Sequence, residues 1–201
     1  CVYLEKHPQI REVILSGGAR SVYEKNAPKF DKQILQLAVP ILGICYGHQL
    51  IAHLLGGKVL SGKSGEYGLM QLNITRAEGI LARLGKSRNA WMNHRDVVVS
   101  LPKSFLPIAS TEHSKIAAFA NKNERIFGVQ FHPEVSHTEN GDQILKNFVF
   151  DICKCKKSWT SHLVVENLIK ETKTVIGNHK AIIGLSGGVD SSVAAALVSK
   201  A

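Results

Sequence analysis

The sequence lacks any long hydrophobic run. Its longest apolar stretches, such as Ala181 to Leu185 and Val193 to Val198, are much shorter than the roughly 20 residues that a transmembrane helix needs. Residues 1–10 show no basic region followed by an apolar region, so no secretory signal peptide is recognisable. No membrane partner is therefore expected. An initiator Met is also missing, and we expect the chain to be a fragment of a longer protein.

Cysteine is scarce, with four residues among 201. Four cysteines in a chain of this length do not make a disulfide framework, which favours a reducing, cytoplasmic location. Cys153 and Cys155 have no partner ligands near them in the sequence, so we predict no zinc or other metal site.

Motifs for DNA or RNA binding are missing, although the net charge is +9. The basic residues are spread along the chain, and the one compact cluster is Lys154, Lys156 and Lys157. We interpret this charge as a solvated basic surface and expect no nucleic-acid partner.

Short apolar runs alternate with helical patterns in the first half of the chain. Strands are predicted at Glu12 to Leu15 and at Pro40 to Ile44, and helices at Pro28 to Leu37 and at Tyr46 to Leu55. Such alternation is typical of an α/β sheet with parallel strands.

The middle of the chain is mostly β-like, which predicts an antiparallel or mixed extension of the sheet. The predicted strands are Gly68 to Ile74, Ala90 to Asn93, Val97 to Leu101, Phe105 to Ser110, Lys115 to Ala120 and Ile126 to Phe131. A closing helix is predicted from Gln143 to Cys153.

A second α/β domain begins after this helix. It starts with a helix from Ser161 to Lys173, a strand from Ala181 to Leu185 and a glycine-rich loop that opens another helix. We therefore predict an open mixed, largely parallel sheet with flanking helices in residues 1–155. Residues 156–201 are expected to be the truncated start of the second domain.

A cysteine stands where the second predicted strand meets a helix. The sequence Gly43-Ile44-Cys45-Tyr46-Gly47 has the small flanking residues of a nucleophile elbow, which lifts the side chain clear of the sheet. The helix N-terminus is expected to favour the thiolate of Cys45. Most free cysteines are merely buried small side chains, but the two glycines favour a nucleophile.

A candidate general base follows the last predicted strand of this sheet, together with a hydrogen-bond acceptor that could orient it. A nucleophilic thiol needs a base within hydrogen-bond reach, and the base needs an acceptor to fix its ring. His132-Pro133-Glu134 supplies both at a strand end, where sites of α/β sheets gather. His48 lies closer in sequence to Cys45, but its place along the helix indicates a supporting residue.

The glycine-rich loop of the second domain predicts a phosphate site. Ser186-Gly187-Gly188-Val189-Asp190-Ser191-Ser192 follows a predicted strand and opens a helix, so its backbone N–H groups can bind pyrophosphate. It lacks the Gly-Lys-Ser/Thr ending of a Walker A motif.

These motifs carry a family resemblance. Gly43 to Gly57 (GICYGHQLIAHLLGG) and Gly128 to Glu134 (GVQFHPE) resemble the class I, triad-type glutamine amidotransferases, whose domain is flavodoxin-like. The resemblance implies that Cys45 attacks the glutamine amide, His132 shuttles protons and Glu134 holds the imidazole. It further implies oxyanion donors at Gly18 and Tyr46 and glutamine contacts at Gln49, Asn93 and Asp96.

The glycine-rich loop resembles the PP-loop of ATP pyrophosphatases, with ATP bound by Ser186, Gly187, Gly188, Val189, Asp190, Ser191 and Ser192. A triad glutaminase followed by a PP-loop resembles the GMP synthase family. Further matches to that family are Glu66 to Gly68, Val135 to Thr138, Asp151 to Cys153 and Trp159-Thr160.

The resemblance implies that glutamine, ATP with Mg²⁺, and XMP are substrates of the full-length protein. It also implies a homodimer and no prosthetic group. The fragment itself is expected to retain at most glutaminase activity.

Two other interpretations stay open. The chain could belong to a different triad amidotransferase, although the PP-loop disfavours that, or to a regulatory module whose glutaminase has decayed. Asn93 to Asp96 departs from the Ser-His-Gly-Asp that is frequent in the family, because Arg95 stands where glycine is common.

Overall fold

The computed structural model describes residues 6–7, 9–37, 39–121 and 125–201. The chain divides into two compact units, residues 1–155 and residues 156–201. No helix within the described ranges is long and apolar enough to cross a bilayer.

A seven-stranded mixed sheet forms the first unit, with the spatial order β1-β2-β7-β6-β5-β3-β4. The strands are β1 (Val13–Leu15), β2 (Ile41–Ile44), β3 (Lys58–Ile74), β4 (Ser87–Ser100), β5 (Leu106–Ser110), β6 (Ala118–Asn121) and β7 (Ile126–Val129). The pairs β1–β2 and β2–β7 are parallel, and the other pairs are antiparallel.

The mixed α/β sheet is confirmed, but the expectation that it is largely parallel is wrong. The segment between β3 and β4 contains a 3₁₀ helix at Gly79–Leu81 but no α-helix, and the segments between β5 and β6 and between β6 and β7 are shorter than a dozen residues. A parallel pair needs a crossover connection of a dozen or more residues, usually a helix, so these neighbours pair antiparallel.

Two apolar cores lie on opposite faces of the sheet. Neighbouring residues alternate between them, with Ile41 in one core and Leu42 in the other, as the two-residue period of a strand requires. Helix α1 (Tyr46–Leu54) packs in the core that contains Ile41. Helix α2 (Gly141–Lys146), which continues as a π-helical stretch at Asn147–Ile152, packs in the other core.

The helix predicted from Pro28 to Leu37 is wrong in extent and type. A 3₁₀ helix occupies Lys32–Gln36, and the Asp31 carboxylate caps it by accepting a hydrogen bond from the Gln33 N–H. The carbonyl of Pro28 instead accepts a hydrogen bond from the Tyr46 hydroxyl. This tertiary contact replaces the helical hydrogen bond that the apolar spacing predicted.

The second unit contains α3 (Ser161–Ile176) and α4 (Val189–Lys200). Gly177, with φ of 56°, ends α3 three residues beyond the predicted Lys173. The strand predicted from Ala181 to Leu185 does not form, and Ile182 is fully exposed. A strand needs a neighbour to satisfy its backbone groups, and none of the described strands pairs with this segment.

Candidate active site

Cys45 occupies a sharp turn between β2 and α1. Its φ of 51° and ψ of −102° are rare for a residue with a side chain, and its N–H donates to the Val129 carbonyl at 2.8 Å. A Cβ on Gly47 would lie 2.1 Å from the Leu15 carbonyl oxygen. A Cβ on Gly43 would lie 2.5 Å from the Gly47 carbonyl carbon. The two glycines therefore permit the close approach of β1, β2 and α1 at this elbow.

Three parallel strands bring the candidate residues to one edge of the sheet. The loop with Gly17 follows β1, Cys45 follows β2, and His132 follows β7, so all leave the carboxyl ends of neighbouring strands. A Cβ on Gly17 would lie 3.2 Å from His132 Cε1 and 3.7 Å from Cys45 Cβ. The thiol and the imidazole are therefore adjacent across this glycine.

Glu134 fixes the imidazole of His132. The Nδ1 atom lies 2.7 Å from Glu134 Oε1, and because an ionised carboxylate only accepts, Nδ1 carries the proton. The basic nitrogen is then Nε2, which is buried and has no hydrogen-bond partner among the described residues. The backbone is held on both sides, since the His132 N–H donates to Trp91 O and the Thr138 hydroxyl donates to His132 O. This arrangement suits a general base.

The thiol of Cys45 is protonated at neutral pH. Burial, with a smaller contribution from the negative charge of Glu134, raises its pKa from 9.0 to about 11. Hydrogen bonds from the Tyr46 backbone N–H and from the Gln130 side chain lower it, but less than burial raises it. The thiol donates to the Asn93 carbonyl at 3.8 Å. The expectation that the helix N-terminus favours a resting thiolate is therefore wrong, because desolvation outweighs it.

A cavity of about 700 Å³ opens beside the sulfur. Its walls include Gly18, Cys45, Gln49, Asn93, Asp96 and His132, all named from the sequence. Tyr46 and Glu134 are not among its described lining residues, and Glu134 contacts the Nδ1 side of the His132 imidazole.

Polar contacts hold Gln49 and Asp96 in place in the cavity wall. The side-chain Nε2 of Gln49 donates to Asp96 O at 2.9 Å and to Gln130 Oε1 at 3.1 Å. The carboxylate of Asp96 accepts a hydrogen bond from the Tyr23 hydroxyl at 3.0 Å. Arg95 also lines the cavity, and within the described residues its side chain makes no ion pair.

Several residues of the site had no role assigned from the sequence. Gln130 lies within the motif of residues 128–134, and its Nε2 is 3.8 Å from Cys45 Sγ. Glu66 and His94 form a buried pair at 3.0 Å, and His94 also lines the cavity. Tyr23 belongs to a loop without regular structure, where no sequence pattern could have indicated it.

His48 lies in the core and does not line the cavity. It is fully buried and stacks on Phe119, with ring centroids 4.6 Å apart. Burial lowers the pKa of His48 to about 3, so the ring is neutral. This placement fits the supporting role predicted for it.

The glycine-rich loop of the second unit is exposed and internally hydrogen-bonded. The hydroxyls of Ser191 and Ser192 donate to Gly188 O at 3.0 and 2.9 Å, and Ser186 Oγ lies 3.0 Å from Ser191 Oγ. Gly187 has a φ of 80°, which favours glycine, and α4 starts directly after Gly188. Backbone N–H groups at the start of α4 can thus bind an anion.

The sequence profile of the family "Glutamine amidotransferase class-I" matches residues 3–152. The chain belongs to the class-I glutamine amidotransferase family. Residues 162–201 of the same chain match the profile of the NAD synthase family.

Curated relatives of this amidotransferase are named as glutamine-hydrolysing GMP synthases. The protein of Brachyspira hyodysenteriae is 48% identical over 100% of this chain and 41% of its own length. That of Caldicellulosiruptor saccharolyticus is 50% identical over 98% of this chain and 38% of its own length. This chain therefore spans about two fifths of these relatives.

Solved structures share the amidotransferase fold. A candidate GMP synthase subunit from Thermoplasma acidophilum has a TM-score of 0.66 and 30% identity, covering 81% of this chain and 79% of its own. A glutamine amidotransferase from Thermotoga maritima has a TM-score of 0.57 and 24% identity, covering 96% of this chain and 80% of its own, and it supports the fold alone.

Proposed function

We propose that the chain is the glutaminase domain and the start of the synthetase domain of a glutamine-hydrolysing GMP synthase. The observation that carries the proposal is the order of two sites, a Cys-His-Glu glutaminase in residues 1–155 and a PP-loop in residues 156–201. The names of the relatives, which match nearly the whole chain, support the same assignment.

The glutaminase reaction starts at the sulfur of Cys45. His132 Nε2 takes the thiol proton as the sulfur attacks the amide carbon of glutamine, because burial leaves little thiolate in the resting site. The backbone N–H groups of Gly18 and Tyr46 stabilise the oxyanion that forms. His132 then returns the proton to the departing amine, which leaves as ammonia, and a thioester remains. Water attacks the thioester and releases glutamate and the thiol.

The cavity wall holds the substrate glutamine. Gln49, Asn93 and Asp96 contact it in this proposal, and the cavity of about 700 Å³ has room for an amino acid of this size. Glu134 stabilises the imidazolium that His132 becomes after it accepts the proton.

The ammonia aminates a nucleotide in the synthetase domain. Residues Ser186 to Ser192 bind the phosphates of ATP, which is used with Mg²⁺ to adenylate XMP, and ammonia displaces AMP to form GMP. The balanced reaction is XMP + ATP + glutamine + water → GMP + AMP + pyrophosphate + glutamate. We further propose that the full-length protein is a cytoplasmic homodimer with no prosthetic group.

The decisive experiment measures glutamate and GMP production by the full-length protein. XMP and ATP together should raise glutamine hydrolysis, and GMP should form in step with glutamate. The Cys45→Ala variant should lose glutamate production but still form GMP from added ammonia. Glutamine hydrolysis that does not respond to XMP would instead assign the chain to another triad amidotransferase. Residues 1–201 alone should form no GMP, because they lack most of the length of the relatives.

A further inference from the structure

A buried chain of hydrogen bonds ends at the sulfur of Cys45. It begins at Thr111, whose hydroxyl donates to Glu66 Oε1 at 2.6 Å, and Glu66 Oε2 lies 3.0 Å from His94 Nε2. His94 Nδ1 is 2.9 Å from Asp96 O. From Asp96 the chain continues through Gln49 and Gln130 to the sulfur.

The chemistry of donors and acceptors fixes the direction of this chain. The Asp96 carbonyl can only accept, so Gln49 must turn its Nε2 toward it. That same Nε2 donates to Gln130, which must therefore present its Oε1 to Gln49. The remaining group of Gln130, its NH₂, then faces Cys45 Sγ at 3.8 Å. A donor at this position favours the thiolate over the thiol.

The Glu66–His94 pair holds the other side of the same carbonyl. His94 must donate from Nδ1 to Asp96 O, so its Nε2 meets the carboxylate of Glu66 across the β3–β4 ladder, where the two residues are direct partners. Both side chains are almost fully buried. A buried carboxylate is retained only when it is paired, and Glu66 gains its partners from His94 and Thr111.

We propose that Gln130 is a hydrogen-bond donor to the nucleophile and that Glu66 and His94 are positioning residues that keep its amide turned toward the sulfur. This inference deepens the proposed glutaminase function and rests on it. Gln130 is fully buried, and its backbone N–H is held by Ala117 O at 2.8 Å. The amide therefore has little freedom other than rotation about its own side-chain bonds.

The first test substitutes Gln130 by Met, which has a similar length and no donor. In the full-length protein without substrate, the rate at which iodoacetamide alkylates Cys45 should fall roughly tenfold, since a hydrogen bond to a charged acceptor shifts a pKa by about a unit or more. Mass spectrometry of the Cys45 peptide separates this thiol from the other cysteines. Gln143→Met is the matched control. It also loses a side-chain amide hydrogen bond, the one to Asn147, but it leaves the hydrogen-bond chain from Thr111 to Cys45 intact.

Glutamine kinetics distinguish positioning from general damage. Gln130 does not line the described cavity, so Gln130→Met should lower kcat by about tenfold and leave KM for glutamine within about twofold. An unchanged alkylation rate in Gln130→Met, with the protein folded by circular dichroism, would overturn the inference. If the wild-type protein did not hydrolyse glutamine at all, the proposed function would fail while the alkylation result still decided this inference.

The second test addresses Glu66. Glu66→Leu leaves the Nε2 atom of His94 without its partner and should slow alkylation of Cys45 several-fold, even though Glu66 does not contact the sulfur. Glu66→Gln keeps an oxygen that can accept from Thr111 and an NH₂ group that can reach His94 Nε2, so it should recover most of the rate that Glu66→Leu loses. Equal alkylation rates in Glu66→Leu and the wild type would remove Glu66 and His94 from the proposal.

Discussion

At the scale of single residues, the reactivity of Cys45 depends on burial and on a few directed dipoles. Burial raises the pKa of the thiol, and the Tyr46 N–H and the Gln130 side chain oppose it. Without substrate the balance favours the neutral thiol, which donates to Asn93 O. A buried neutral thiol resists oxidation and adventitious alkylation, so the site is protected until a base removes the proton.

The first prediction concerns the pH dependence of this thiol. In the folded protein without substrate, alkylation of Cys45 should keep rising as the pH increases past 9.0 and reach half of its maximal rate near pH 11, because the pKa is raised to about 11. Below pH 11 the protonated thiol predominates, so the alkylation rate at neutral pH should be low. A plateau reached below pH 8 would contradict the raised pKa. Cys45 in the urea-unfolded protein supplies the reference, because its thiol is no longer buried there and its pKa returns to the ordinary range of a free cysteine.

The second prediction concerns Arg95. Its exposed side chain lines the cavity and has no ion-pair partner among the described residues, whereas the neighbouring Arg20 is engaged with Glu24 at 3.2 Å. Glutamine carries a carboxylate, so we expect Arg95→Gly to raise KM for glutamine several-fold with little change in kcat, as loss of uniform binding does. Arg95→Lys should raise KM less, because the charge remains. An unchanged KM in Arg95→Gly would show that this cation does not contact the substrate.

At the scale of elements, the elbow depends on a backbone approach that only glycine allows. A Cβ on Gly47 would meet the Leu15 carbonyl at 2.1 Å, and neither backbone can yield without moving β1 away from α1. Gly47→Ala should therefore destabilise the first unit by about 3 kcal/mol in urea unfolding and abolish glutamate production.

Gly56→Ala is the control for this substitution. Gly56 has a φ of 90°, but a Cβ there would face open space. Alanine at this position would therefore introduce only backbone strain and should lower the free energy of unfolding by about 1–2 kcal/mol. The alkylation rate of Cys45 should be unchanged in this variant. If Gly47→Ala lowered the free energy of unfolding no more than Gly56→Ala does, the close approach of β1 to α1 would not explain why glycine is needed at position 47.

The elements that the sequence predicted well are those with local signals. Helix α1 and strand β2 have clear apolar patterns, and Gly43 and Gly47 mark the turn between them. Strand β3 was predicted only from Gly68, whereas it starts at Lys58. The missing part is rich in glycine and serine and is held in the sheet by pairing with β4, which is a tertiary effect.

The site shows the same division. Cys45, His132 and Glu134 lie in short motifs, and a motif can be recognised without knowing the fold. The pairing of Glu66 with His94 depends on a register shift between Ser61 and Glu66, and no pattern in the sequence fixes that register. Residues that act through register and loop contacts therefore became visible only in the structure.

At the scale of the whole molecule, the two units differ in how completely they bury apolar surface. Both apolar cores consist of residues from the first unit. Helices α3 and α4 contain no buried residue, and apolar side chains such as Val175 and Ile182 are largely exposed. Folding is driven mainly by burial of apolar surface, so the first unit has its own source of stability and the second has little.

The last prediction follows from this difference. A protein truncated to residues 1–155 should unfold cooperatively, with a Tm within about 3 °C of that of residues 1–201, because the deletion removes no member of either core. Residues 156–201 alone should show no cooperative transition, since helices of this length that are not packed in a core are only marginally stable in water. Differential scanning calorimetry measures the unfolding transitions of residues 1–201, 1–155 and 156–201. A fall of about 10 °C or more in the Tm of residues 1–155 would mean that the second unit contributes to the stability of the first unit. The fold around Cys45 would then depend on residues outside its own two cores.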